Sequence, residues 1–247
     1  MVLEIEQFEK FVIQKCKELK LTTIYNYEIE GKNSLEFFSD VVRSKNRLKE
    51  FEAKFGFDGQ FYNDFMNISY NMEYFIALCS IYQPYINNEF ADEVYIQNMY
   101  DYRYLMYINI GIQFIYNFWD RVGDLLEYFY EVEFKSNKKT FGLVIDKLKG
   151  SFTDSENYKF LKNFKDTKYQ EVLEIRHRIV HKVSLDAGHY GEFTSIRMSD
   201  KSNYKPLLET HYKKKINYLK ILKEHFNLFN IGYEKMLRLI DELPDKN

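Results

Sequence analysis

Nearly every segment of this chain repeats its apolar residues at three- and four-residue intervals, the period of an α-helix with one face turned to a core. Phe61, Phe65, Ile68, Met72, Phe75, Ile76 and Cys79 show it. So does a longer run from about Glu93 to Val132, with Met99, Leu105, Ile108, Ile112, Ile115, Trp119, Val122, Leu126 and Phe129. Residues that break such runs are scarce. The 247 residues include 3 Pro and 10 Gly, fewer turn residues than an all-β chain of this size needs. The fold class that follows is all-α, an antiparallel helical bundle of about seven helices.

The same reasoning places the elements. Helices are predicted over residues 2–20, from Ser34 as N-cap to about Lys54, and over 61–82 up to Pro84. Further helices are predicted over 93–132 with a kink near Gly111, from Thr140 as cap to Lys149, over Glu156–Ser184, and over Leu208–Leu243. Thr22–Glu30 reads as a short extended connector, and Gly56 and Gly59 mark a turn. Asp186–Lys205, rich in Gly and Ser, is the one long loop, a kind of segment that often carries function. No repeat or linker divides the chain, so residues 1–247 are expected to form a single helical domain.

With 45% hydrophobic residues the chain can build a sizeable core, and Cys16 and Cys79 fall inside helical patterns as expected of buried thiols in a reducing cytoplasm. The first twenty residues mix charge with apolar side chains and show no targeting signal. The most apolar stretch, Tyr104–Trp119, is interrupted by Asn109, Gln113 and Asn117, so no membrane span is expected. Charge is uneven. Residues 1–134 hold 12 Lys+Arg against 22 Asp+Glu, a net of −10, and residues 135–247 hold 23 against 15, a net of +8. A basic half attracts polyanions such as RNA, although solvated lysines on helix faces account for the same numbers. The 22 Tyr and 22 Phe could stack on bases; the simpler expectation is that most of them are core.

One stretch carries chemistry: Glu174-Ile175-Arg176-His177-Arg178-Ile179-Val180-His181. Val172, Ile175, Ile179 and Val183 form its buried stripe, and Glu174 and Arg178 are spaced to pair on the surface. His177 and His181 are four apart and point the same way. Arg176 is five from His181, which puts it about 140° round the helix and roughly 7.5 Å along it. Their tips converge only if the helix loosens or if a second copy of the helix supplies the partner.

Arg176, four intervening residues and His181, with a polar His177 straight after the Arg, resemble the Arg-x4–6-His signature of the HEPN superfamily. The resemblance covers residues 93–243 and leaves the N-terminal helices, 1–92, outside it. It implies a helical bundle, usually a homodimer. It also implies either a metal-independent endoribonuclease needing no cofactor, in some members a toxin held by an antitoxin partner, or a binding module that has lost catalysis. In the catalytic case His181 would act as base or acid on the 2′-hydroxyl of single-stranded RNA. Arg176 would stabilise the phosphorane with its planar fork of donors, and His177 would assist or orient. Asp120 and Asp124, four apart on the long helix, are candidates to orient the His or Arg, against a simpler role on a solvated face.

Two rivals stand beside this. Glu174, His177 and His181 include a Glu-x-x-His unit of the kind used twice in di-iron bundles, but no second unit occurs in the chain. Alternatively the protein is a non-catalytic dimeric interaction or nucleotide-binding module in which Arg176 and His181 hold the dimer. His189, His211 and His225 are expected to be exposed, as are Lys213, Lys214 and Lys215, which could touch phosphate.

Overall fold

The first amides of a helix have no partner within it, so side chains placed just before the first turn decide where it starts. In the structure, a computed structural model, those side chains are visible at several boundaries. It describes residues 2–45, 48–55, 58–86, 97–134, 139–148, 152, 154–182, 184, 185, 188, 191, 194, 195, 198 and 204–244. Helix α1 spans Val2–Leu19, α2 Ser34–Ser44, α3 Leu48–Phe55, α4 Asp58–Tyr82 and α5 Met99–Tyr130. Then follow α6 Phe141–Lys147, α7 Glu156–Asp166, α8 Lys168–His181 and α9 Tyr204–Asp241. Asn33 caps α2 in a reciprocal box with Glu36. Ser34, expected as that cap, is instead the first helical residue and donates its hydroxyl to Ile24 O at 2.6 Å. Thr140 caps α6 and Ser155 caps α7. Asn98 and Asp101 form a second box at the start of α5, each amide donating to the other's side chain at 2.9 Å. At the other end of α5, Glu131 at φ +51 closes the helix with the Val132 amide donating to Glu127 O, the pattern that usually takes a glycine.

The chain is all-α apart from one hairpin in the described residues. Its strands β1 (Glu28–Ile29) and β2 (Lys32–Asn33) pair antiparallel through a turn with Glu30 and Gly31 both at positive φ. No described helix is long and apolar enough to cross a membrane.

Three expectations need correction. The run from Ser34 to Lys54 is two helices, α2 and α3. The run over Glu156–Ser184 is also two, broken at Thr167, whose hydroxyl turns back to Asn163 O at 2.7 Å. And the supposed loop 186–205 is helical wherever it is described: Gly188, Gly191, Thr194, Ser195 and Met198 are helical, and Tyr204 opens α9. Leu185, fully buried, anchors that stretch, and the Gly188 amide donates to Ser184 O at 2.8 Å. A glycine's cost in a helix is only about 1 kcal/mol, which such anchoring can outweigh. Gly59 likewise lies inside α4.

Two compact units emerge, each drawn from three stretches of chain. Unit 1 gathers Met1–Leu21, Met72–Phe114 and Leu173–His225, and unit 2 gathers Thr22–Asn71, Ile115–Val172 and Phe226–Asn247. In unit 1 the core includes Val12, Ile76, Cys79, Leu105, Ile108, Ile112 and Leu222, all fully buried. Both cysteines are free thiols, Cys79 buried and Cys16 partly so, and burial pushes Cys16 up to about 11. Unit 2 is built on rings. Phe118 stacks on Phe229 and Trp119 on Phe164, each pair at 3.9 Å between centroids. Such pairs add about 0.5–1.5 kcal/mol beyond the area they bury. Two glycines make room for them. A Cβ on Gly232 would lie 2.3 Å from Trp119 Cη2, and one on Gly123 would lie 2.9 Å from Phe141 Cα.

Replacing either glycine by alanine should therefore lower stability by about 1–3 kcal/mol, the usual cost of overpacking. Gly142, inside α6 with nothing nearer than 3.8 Å, is the control, and Gly142→Ala should be neutral or stabilising by up to about 1 kcal/mol. Urea titration of the three variants checks this. A second test concerns acid. The Lys165 ammonium bonded to Asp146 holds that carboxyl below its ordinary value, helped by Lys162 at 3.4 Å. A lowered carboxylate contributes stability above its unfolded value near 3.9 and loses it as pH falls through the folded value. Asp146→Asn should accordingly flatten the fall of stability below about pH 4, measured by thermal melts across an acid series.

Candidate functional site

Helix α8 enters unit 1 at Leu173, and from there its character changes. Tyr169 and Val172, on the side of unit 2, are buried. Beyond them Ile175 and Ile179 are half-buried, and Val180 is 48% exposed, so the expected buried stripe is only partly buried in one chain. Val183 lies outside the described residues. His177 and His181 are both exposed and their rings face each other with centroids 4.8 Å apart and planes at 46°. They occupy the last turns of α8. Arg176 is turned elsewhere. It is half-buried, and its Nε donates to Gln113 Oε1 on α5 at 3.2 Å.

Leu173, Glu174, His177, Arg178 and Lys182 line an open cleft of about 710 Å³ along this helix. Its described walls carry three basic or imidazole side chains and one carboxylate, which suits an anion. Among the described residues, no group of three or more His, Cys, Asp or Glu is placed to hold a metal ion. Glu174, His177 and His181 thus form no ligand shell within one chain.

Asp120 and Asp124 belong to unit 2. Asp120 Oδ1 accepts from the Phe141 amide at 3.4 Å, at the first turn of α6, and Asp124 accepts from Arg121 Nη1 at 2.8 Å. Gln113 was legible in the sequence only as a polar interruption of an apolar run; its bond to Arg176 gives that interruption a purpose.

Other residues depart from expectation. His225 is fully buried, because it falls on the inward face of α9 with Leu222 and Phe229. His211 is half-buried, and His189 lies outside the described residues. Of the three consecutive lysines, Lys213 and Lys214 are exposed and Lys215 is 1% exposed. Its Nζ donates to Asp101 Oδ1 at 2.7 Å, and Asp101 is itself fully buried. Burial pulls Lys215 below its ordinary range, with the Asp101 bond opposing. Tyr104 donates to Lys215 O at 3.0 Å, so α5 grips α9 twice at this level.

An all-α chain with an Arg and a His five residues apart near the end of a late helix is the class of protein this geometry defines. A family model described as Cthe2314-like HEPN matches residues 61–243, more than two thirds of the chain, and the chain belongs to that family. The match begins within α4, upstream of residue 93. Searches of curated proteins and of solved structures return no match.

The three lysines offer a direct test. Lys215→Met leaves the Asp101 carboxylate buried without its counter-charge, and a broken buried pair costs about 3–5 kcal/mol. Lys213→Met and Lys214→Met, on the solvent side, should each change stability by less than about 0.5 kcal/mol. Denaturant unfolding that ranks the three alike would refute the assignment of Lys215 to the interior.

Proposed function

We propose that this HEPN protein is a metal-independent endoribonuclease acting on single-stranded RNA, with an active site completed by a second copy of the chain. One observation carries the reading: His177 and His181 stand side by side in solvent, whereas Arg176 of the same helix is turned onto Gln113. A phosphate brought to the His pair would meet the Arg178 guanidinium that lines the cleft beside His177, and on this reading Arg176 joins it from a second motif helix brought alongside. HEPN domains commonly dimerise, which supports that arrangement.

The chemistry needs nothing beyond the chain and the RNA. His181 takes the proton of a ribose 2′-hydroxyl, and the 2′-oxygen attacks the neighbouring phosphorus. Charge builds on the non-bridging oxygens and is met by Arg176. The bond from phosphorus to the 5′-oxygen breaks and that oxygen is protonated, with His177 assisting. The products are a 2′,3′-cyclic phosphate and a 5′-hydroxyl. Single strands are favoured because their bases and sugars are accessible where a duplex hides them. The basic half of the chain gathers phosphate in a salt-dependent way.

A second reading, a non-catalytic dimeric or nucleotide-binding module, is favoured by the exposed Val180 and the half-exposed Ile175 and Ile179. That apolar surface suits a helix–helix contact. An antitoxin is a partner class consistent with either reading.

The test is cleavage of labelled RNA with chelator present throughout. His181→Ala should reduce the rate about a hundredfold to ten-thousandfold, with helix content by circular dichroism unchanged. Arg176→Ala should be similarly impaired, and mixing the two inactive variants should recover part of the activity, because a mixed dimer restores one intact pairing. Equal RNA loss with wild type and His181→Ala would leave the module reading as the better one. Light scattering that finds a monomer at micromolar concentration would remove the composite site.

A further inference from the structure

Unit 1 holds a row of aromatic rings whose outer members the core leaves uncovered. Tyr85 and Tyr100 approach at 5.4 Å, Tyr100 and Tyr82 at 6.2 Å, Tyr82 and Tyr107 at 5.9 Å, and Tyr107 and Phe75 at 6.0 Å. Successive planes are tilted by 39°, 34°, 16° and 25°, so the rings run as a loosely parallel ladder between the end of α4 and the start of α5. Its inner rungs are covered: Tyr82 is buried and Phe75 and Tyr107 are half-buried. Its outer rungs are open, with Tyr85 at 60% and Tyr100 at 42% exposure. Arg103, exposed one turn along α5, donates to the Tyr82 hydroxyl at 3.1 Å. Its guanidinium carbon also lies 5.9 Å from the Tyr82 ring centroid, at the limit of cation–π range.

The two segments that carry the ladder hold little charge, and the acids Glu73, Glu89, Asp92 and Glu93 fall just outside them in the sequence. From Tyr74 to Ile86 and from Met99 to Trp119 the only ionised side chains are Asp101 and Arg103. Asp101 is buried against Lys215, so the single exposed charge on these two segments is a cation. An aromatic surface with one guanidinium fits a ligand that offers flat π faces and an anionic link between them. Single-stranded nucleic acid has that constitution, and stacking on Tyr is tolerant of sequence. Arg103 and Gln113, the residue that holds Arg176, lie ten residues apart on α5, roughly 15 Å along its axis and about 80° round it.

We propose that Tyr85, Tyr100 and Arg103 form a stacking platform that holds unpaired bases of the RNA strand leading to the Arg176–His181 site, an inference that rests on the RNA reading above. Tyr100 and Tyr85 are positioning and binding groups here, remote from the reacting atoms.

The experiment measures fluorescence anisotropy of a short labelled oligoribonucleotide on the full chain carrying His181→Ala, so that binding is read without cleavage. A strand of equal length lacking bases keeps the phosphates and removes the stacking partner. Tyr100→Leu should weaken binding of the base-bearing strand roughly fivefold to a hundredfold, the range expected for one lost base stack. Tyr100→Phe should restore it, and Tyr85→Leu should act in the same direction. The base-free strand should bind weakly, and equally, to the parent and to Tyr100→Leu. The platform is overturned if both strands bind the parent alike, or if Tyr100→Leu leaves affinity unchanged. If that variant instead shifts the oligomeric mass with RNA binding intact, the ladder is a protein contact and the proposal fails. Cleavage by the chain with His181 intact separates the two ideas. Cleavage with unaffected ladder variants sinks the platform alone, ladder-dependent binding without cleavage sinks the nuclease alone, and neither binding nor cleavage sinks both.

Discussion

Taking an ammonium and a carboxylate out of water costs several kcal/mol per ion, and their attraction recovers it only when the geometry is good and the remaining hydrogen bonds are made. Among the described residues of unit 1, Lys215 with Asp101 is such a pair, and it is well supplied. Asp101 accepts from Lys215 Nζ with one oxygen and from the Asn98 amide with the other, while Asn98 Nδ2 donates to Tyr85 O. The carboxylate is therefore both the helix start of α5 and the seat of α9. Sliding α9 by one turn, about 5.4 Å, would leave two buried charges apart. What the pair secures is register more than stability. Gln113 lies twelve residues further along α5, roughly 18 Å, and takes the Arg176 guanidinium. The placement of the motif within unit 1 thus follows from a helix whose alignment is fixed by one ion pair.

The three adjacent lysines show why part of this could be read from sequence and part could not. Helical period announces α4, α5 and α9, and a polar residue ahead of an apolar run announces the cap at Thr140. Lys213, Lys214 and Lys215 are the same residue type at 100° intervals, and only the position of Asp101 in space decides which of them is inside. His225 poses the same problem: a polar side chain on an apolar face reads as exposed until the face is known to be covered. The break at Thr167 leaves the apolar period on either side intact, so the sequence pattern does not announce it. The glycines and serines of 186–205 read as loop because composition carries no trace of Leu185, whose burial anchors the stretch.

The motif itself was legible as a spacing, and its geometry follows from elementary helix arithmetic. Five residues along a helix turn a side chain by about 140°. Arg176 and His181 are therefore directed to different sides of α8, one onto the chain and the other to solvent. In a chain that used both side chains for stability, both would be packed. Here the imidazoles at 177 and 181 gain nothing from the core, and the apolar residues between them are only half covered. The family match spans this helix, and within it His177 and His181 are exposed while Arg176 is held on Gln113.

The outward arc of α5 makes the same point from a different composition. A helix at a protein surface ordinarily turns Lys and Glu to water and keeps its apolar residues inside. Between Tyr102 and Trp119 α5 carries one charge, Arg103, and its outward positions include Met99, Tyr102 and Met106, exposed by 61%, 49% and 44%. Single apolar residues on a surface need no account, but several on one helix arc form a patch, and patches mark contacts. They add nothing to the core of unit 1, which Leu105, Ile108 and Ile112 close from the inward arc. A surface that costs solubility and adds no stability is accounted for by what it meets. By helix arithmetic Met99, Tyr102, Met106 and Gln113 share one arc of α5, and Tyr100 and Tyr107 of the ladder lie about 120–140° round from Gln113.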